Sequence, residues 1–167
     1  MRGFVDGSLS TLGIVVGAVA ADTSIVIAAG LGGALANGIS NVLSAVSAEQ
    51  VGQHKELREV EKAMVSRDLR DSESERRIGR TALAAGTVDG MATVMGGLIP
   101  VFPYFFCTST SQAMLCAVVL VIGAVSFVGI YLGKVSKRNI AVSALKMGVF
   151  GAIVAVVVYF VQWAIVP

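Results

Sequence analysis

Two acidic residues stand inside apolar sequence, and both belong to the same short pattern. Asp6 lies in VDGSLSTLG (5–13), and Asp89 lies in VDGMATVMG (88–96). A carboxylate in a segment that enters a bilayer is costly, and it is found mainly where it lines a path for ions or protons. Two carboxylates facing a common axis would bind a divalent cation or exchange protons. The structural alternative is an acid near a helix N-terminus, where the helix dipole favours it.

A second polar group follows along the chain. Asn37, Asn41 and Ser44 are spaced i, i+4 and i+7, so they share one face of a helix. Amide oxygens are hard ligands that suit Mg²⁺, Mn²⁺ or Fe²⁺. Hydrogen bonding between closely packed helices explains the same stripe, and both interpretations stay open for Asn41.

Glu49, Gln53 and Glu56 repeat this spacing farther on, within a segment (49–80) that holds most of the charged residues. If the helix continues into the cytosol, these three side chains would form a ladder of acceptors leading from the membrane, which could collect metal ions at the mouth of a path. Because Lys and Arg are interleaved with the acids, a solvated, salt-bridged helical hairpin is the preferred interpretation for most of the segment, with Glu49 and Glu56 as the exceptions.

The composition defines the class of protein. Hydrophobic residues make up 55% of the 167 residues and charged ones 14%, which predicts a helical membrane protein and no nucleic-acid partner. No phosphate-binding loop, nucleophile–base pair or zinc spacing is present, so we expect neither an enzyme nor a permanently bound cofactor. Five apolar segments near the length that a bilayer requires lie at about 4–21, 24–48, 81–106, 111–133 and 141–165.

We therefore predict an all-α membrane protein with five transmembrane helices. Residues 1–48 hold helices one and two, 49–80 form a charged helical insert, and 81–167 hold helices three to five. A break is expected in GGLIPVFPYFF (96–106), which contains two glycines and two prolines.

The basic residues predict the orientation, because they concentrate on the cytoplasmic side of membrane proteins. Arg2, the 49–80 insert and the loop with Lys134 all fall on one side of a five-span protein. The N-terminus is then cytoplasmic, the C-terminus external, and the two VDG helices run in the same direction. No cleavable signal peptide is recognisable. Cys107 and Cys116 are expected to be unpaired thiols, with a disulfide as the alternative.

Several longer motifs resemble a known family. They are a DGxxSTLGxVxG-like opening (6–17), an AxGxSN segment (36–41), GGLIPVFPYFF (96–106) and ALKMGVFGAIVA (144–155). Together with the charged insert they resemble the vacuolar iron transporter family, including its prokaryotic members. The resemblance spans nearly the whole chain.

The resemblance implies a homodimer that exports Fe²⁺ or Mn²⁺ from the cytosol in exchange for protons, with the first helices lining the path. Asp6 matches the first-helix acid of that family. Asn41 stands where members typically carry methionine, Gly33 stands where some carry glutamate, and the insert is shorter. An amide oxygen in place of a thioether makes a harder site that favours Mn²⁺ or other hard divalent ions.

We thus expect a proton-coupled exporter in a prokaryotic cell membrane, whose partners are a second copy, the bilayer, divalent metal ions and protons. The candidate metal residues are Asp6 and Asn41 in the pore, Glu49 and Glu56 at the cytoplasmic mouth, and Asp89, Asn37 and Gln53 in support. A non-transporting scaffold or metal sensor on the same fold, and a cation channel, are the alternatives.

Overall fold

The computed structural model describes residues 1–63, 73–137 and 139–165, and this part of the chain contains only helices and their connections. The predicted all-α class is therefore confirmed. The elements are α1 (Arg2–Gly17), α2 (Thr23–Ala63), α3 (Glu73–Val101), a 3₁₀ helix (Phe102–Phe105), α4 (Thr110–Val135) and α5 (Ile140–Ile165).

Four of these helices have the length and apolar composition to cross a membrane. The segments that qualify are Thr23–Glu56, Gly79–Phe105, Thr110–Val135 and Ile140–Val161. Helix α1 has 16 residues, which is fewer than the roughly 20 that a bilayer requires. A fifth span through α1 remains a prediction.

The second helix is much longer than its apolar segment. Helix α2 has 41 residues, about 60 Å at 1.5 Å per residue, or about twice the hydrocarbon thickness. No proline interrupts it between Thr23 and Ala63, so it continues through the first part of the predicted insert. Helix α3 begins at Glu73. Residues 64–72 of the predicted insert lie outside the described residues.

The predicted break at the end of α3 takes the form of a change in helix type. Pro100 lies inside α3, and the chain tightens into the 3₁₀ helix only after Val101. Pro103 has no backbone N–H, so it cannot continue the α-helical hydrogen-bond ladder.

Helices α1, α2 and α3 pack through small residues. Helices α1 and α3 run side by side in the same direction, with Gly7 against Thr93 and the Ser8 hydroxyl donating to the Gly96 carbonyl at 3.1 Å. Helix α2 runs antiparallel to α3, and a Cβ atom on Gly90 would lie 2.8 Å from the carbonyl oxygen of Gly38. Glycine at these positions allows the backbones to approach closely.

Helices α4 and α5 form an antiparallel hairpin beside α1. A Cβ atom on Gly129 would lie 2.9 Å from Cα of Ala144, and one on Gly133 would lie 3.0 Å from Cα of Ile140. The fully buried apolar core lies between this hairpin and the other helices. It includes Leu12, Val15, Val26, Val121 and Val125.

Cys107 lies in the connection before α4 and Cys116 lies within α4, and both are free thiols. The pKa of the Cys107 thiol is raised by desolvation and by the neighbouring Cys116 thiol, with which Cys107 forms a hydrogen bond. At the same end of the helices, the hydroxyls of Thr23 and Thr110 are hydrogen-bonded at 3.1 Å. This bond joins the start of α2 to the start of α4.

Candidate functional site

Asp6 lies at the contact between α1 and α2, and its carboxylate is exposed. Oδ2 of Asp6 accepts hydrogen bonds from Nδ2 of Asn41 at 3.0 Å and from Nδ2 of Asn37 at 3.3 Å. The two asparagines are one helical turn apart on α2 and reach the same oxygen. Asp6 and the two asparagines, which lie in separate segments of the sequence, are therefore brought together.

The hydrogen bonds determine how both amides are oriented. The Thr93 hydroxyl donates to the carbonyl oxygen of Asp89 at 2.8 Å, so it must accept the bond that joins it to Nδ2 of Asn41, also 2.8 Å long. Nδ2 of Asn37 donates its other hydrogen to the Ser10 hydroxyl at 2.7 Å. Each NH₂ group thus uses both hydrogens, one of them on Asp6.

The orientation of the two amides determines which of their atoms a metal ion near Asp6 would meet. The amide nitrogens, and not the amide oxygens, face the Asp6 carboxylate. An asparagine in this site would bind a cation only after its amide rotated by about 180° about the last side-chain torsion. Without a cation, the two N–H groups supply the hydrogen bonds that a carboxylate in an apolar setting needs.

The second oxygen of Asp6 is available to a ligand. In the part of the chain that the structure describes, no hydrogen bond reaches Oδ1 of this residue. Asp6 and Asn41 open into a cleft of about 510 Å³ between α1, α2, α4 and α5. The other residues that line the cleft are Met1, Arg2, Val5, Leu9, Leu132, Met147 and Phe150.

The second VDG acid has different partners. Asp89 is half-buried, and its Oδ1 accepts the backbone N–H of Gly3 at 3.0 Å. Asp89 therefore lies beside the first turn of α1. It is offset from Asp6 by almost one helical turn, because Gly3 precedes Asp6 by three residues. Repetition in sequence did not reveal this offset, because it depends on how the two helices pack.

The predicted ladder on α2 lies beyond this network. Nε2 of Gln53 donates to Oε1 of Glu49; Glu49 is half-buried and Glu56 is exposed. Among the described residues, no three His, Cys, Asp or Glu side chains lie close enough together to hold a metal ion. The role of this ladder at the mouth of the path remains a prediction.

Ser10 and Thr93 are site residues that the sequence reasoning did not select. Each follows its VDG acid by four residues, Ser10 after Asp6 and Thr93 after Asp89. A hydroxyl at i+4 lies on the same helix face as the acid. This shared spacing was a usable signal, since both hydroxyls join the network around Asn37 and Asn41.

The curated relatives include vacuolar iron transporters. Vacuolar iron transporter 2 of Oryza sativa subsp. japonica is 35% identical over 44% of this chain and 30% of its own length. Vacuolar iron transporter 1 of Tulipa gesneriana is 29% identical over 52% of this chain and 35% of its own length. The aligned parts thus cover about a third of each transporter.

Two further matches cover more of the chain. An uncharacterized protein of Methanocaldococcus jannaschii is 37% identical over 98% of this chain and 87% of its own length. The sequence model of the VIT family matches residues 41–163, which is well over half of the chain and includes Asn41 and Asp89. With four helices of membrane-spanning length and composition, these matches identify an integral multi-pass membrane protein, and the chain belongs to the VIT family.

Proposed function

We propose that this protein is a transporter that moves Fe²⁺ or Mn²⁺ out of the cytosol in exchange for protons. Asp6 is the residue that holds the metal ion and, after its release, a proton. The observation that carries the proposal is the Asp6 carboxylate itself, with Oδ2 bonded to two amides of α2 and with Oδ1 left open at a cleft. Relatives named as vacuolar iron transporters support the same class of cargo.

The ligand chemistry of the cleft favours hard or borderline divalent ions. A carboxylate oxygen of Asp6 and, after rotation of its amide, Oδ1 of Asn41 are both hard ligands. Met147, which also lines the cleft, carries a softer thioether. This set tolerates Mn²⁺ as well as Fe²⁺.

A homodimer would complete the path. Asp6, Ser10 and Gly17 are spaced i, i+4 and i+11, so they share one face of α1, and all three are exposed in the single chain. Polar groups exposed to lipid are costly, and small residues allow two helices to pair closely. A second copy packed on this face would remove Asp6 from lipid and set two such carboxylates along one path.

The cytosolic side would supply the ion. Arg2, Lys134 and Lys137 lie at the ends of helices that meet on one side of the bundle, and positive charge of this kind marks the cytoplasmic side. Helix α2 extends beyond the bilayer on that side. Glu49 and Glu56 on this extension would attract divalent cations toward Asp6.

Transport into proteoliposomes under an imposed pH gradient tests the proposal. We expect both Fe²⁺, kept reduced, and Mn²⁺ to accumulate. Asp6→Asn should lower the rate by at least about tenfold, the loss that even a group supporting a metal ligand produces. The matched control is Asp22→Asn, which removes an exposed acid in the connection between α1 and α2 and should leave the rate unchanged.

Three outcomes would contradict the proposal. If neither ion moves although metal binds, the protein is a scaffold or sensor. If flux does not depend on the proton gradient and does not saturate, it is a channel. If Asp6→Asn transports as the unmodified protein does, Asp6 is not the residue that binds the ion.

A further inference from the structure

We propose that Asp89 and Thr93 on α3 are positioning residues for the Asp6 site and do not bind the transported ion. They would act through the backbone of α1 and through the amide of Asn41. The inference rests on the proposed transport function for its kinetic consequences, but its structural part can be measured without transport.

The N-terminus of helix α1 is not capped by a side chain of the residues next to it in sequence. Met1, its N-cap residue, makes no side-chain capping hydrogen bond, and its first turn contains no acidic residue. The first four N–H groups of a helix have no partner within the helix, and unpaired N–H groups are costly near lipid. Oδ1 of Asp89 supplies an acceptor for one of them, the N–H of Gly3, at 3.0 Å.

The contact depends on glycine at position 3. A Cβ atom there would lie 2.5 Å from Oγ1 of Thr93 and 2.9 Å from Oδ1 of Asp89. Any larger residue would push the first turn of α1 away from α3. The absence of a side chain therefore lets the N–H reach the carboxylate.

Thr93 links the same turn of α3 to the other partner of Asp6. It is fully buried; its hydroxyl donates to the carbonyl of Asp89 and accepts from Nδ2 of Asn41. One turn of α3 thus holds both the helix that carries Asp6 and the amide that binds Asp6. Loss of either contact would displace the carboxylate or turn the amide.

The surroundings of the two acids separate their roles. Asp6 lines the cleft together with Asn41, whereas Asp89 does not line it. The carboxylate of Asp89 is engaged with a backbone N–H, which needs an acceptor oxygen but no negative charge. Asparagine keeps such an oxygen and is as good a helix cap as aspartate.

Substitutions that keep or remove the acceptor test the proposal. Asp89→Asn and Thr93→Ser should retain transport within about twofold, whereas Asp89→Leu and Thr93→Val should lose about fivefold or more, the equivalent of one lost hydrogen bond. The remaining transport by Asp89→Leu should keep the pH profile of the unmodified protein. Asp6→Asn serves as the reference for a residue whose charge is required.

Hydrogen–deuterium exchange gives the readout that is independent of flux. On purified protein, Asp89→Leu should speed exchange at the Gly3 amide by about fivefold or more, the fold-change expected for a lost cap, and Asp89→Asn should not. Unchanged exchange in Asp89→Leu would overturn the capping role. A loss of transport in Asp89→Asn as large as in Asp6→Asn, or a shifted pH profile, would show that Asp89 binds the ion or the proton. If the unmodified protein moves no metal, the transport proposal fails while the exchange result still decides the role of Asp89.

Discussion

Asp6 and Asp89 have the same sequence neighbours, yet they make different contacts. Asp6 is bonded to side-chain amides of α2, whereas Asp89 is bonded to the backbone of α1. The difference arises because α1 faces α2 with one side and α3 with another. Identical local patterns therefore do not establish identical roles, and only the Asp6 carboxylate opens into the cleft.

Asn41 offers a test of metal selectivity. Asn41→Met replaces a hard oxygen with a thioether, so the ratio of Fe²⁺ flux to Mn²⁺ flux should rise several-fold, since the softer ligand prefers the softer ion. The measurement is competition between the two ions in proteoliposomes. Asn41→Leu is the matched control, because it removes the same hydrogen bonds without adding sulfur. It should lower both fluxes, and an unchanged ratio in Asn41→Met would remove Asn41 from the ligand set.

The helices around the site approach each other closely at glycine residues. The carbonyl of Thr93 occupies the place where a Cβ atom of Gly7 would lie, and the carbonyl of Phe4 occupies the corresponding place for Gly96. Gly13 stands where Gly96 does in the repeated pattern, but a Cβ on it would meet only Val158, at 3.7 Å. The two copies of the pattern thus face different neighbours here as well.

This contrast predicts the outcome of two small substitutions. Gly7→Ala should destabilise the protein by about 1–3 kcal/mol, because α1 and α3 must move apart to admit the methyl group. Gly13→Ala makes the same change in the same helix at an ordinary contact distance, so its effect should be near zero or slightly stabilising. Thermal unfolding in detergent compares the two variants. Equal melting temperatures would contradict the close packing of α1 on α3.

One face of α1, which carries two polar side chains, is exposed at the surface of the single chain. Asp6, Ser10 and Gly17 are exposed along α1, which is unfavourable for a single chain in lipid. The proposed homodimer explains why an apolar bundle retains this face.

Cross-linking in membranes tests the dimer. In a background with Cys107 and Cys116 replaced by alanine, Gly17→Cys should form covalent dimers under copper phenanthroline oxidation. A Cβ at Gly17 has nothing within 4 Å, so the substitution itself should be tolerated. Val157→Cys on α5, where the native side chain is 54% exposed, is the control and should remain monomeric. If Gly17→Cys also yields only monomer, the shared path along α1 is wrong.

The limits of helices were harder to foresee than their number. The apolar segments indicated five helices, and the described residues form five α-helices, but α2 continues to Ala63, beyond the predicted membrane boundary at 48. Hydropathy marks where a helix leaves lipid, whereas helix propensity and hydrogen bonding decide where it ends. The charged part of α2 remains helical although its hydropathy is too low for a membrane span.

Residue types and spacing were sufficient for the all-α membrane class, because long apolar runs satisfy their backbone in lipid by forming helices. They also selected Asp6, Asn37 and Asn41, since costly polar groups in apolar sequence are conspicuous. The tertiary structure alone revealed that these three meet, that the Thr93 hydroxyl accepts a hydrogen bond from Asn41, and that Asp89 accepts the N–H of Gly3 in α1. Hydrogen bonds between helices depend on the rotation and register with which the helices pack, and local periodicity does not encode either of them.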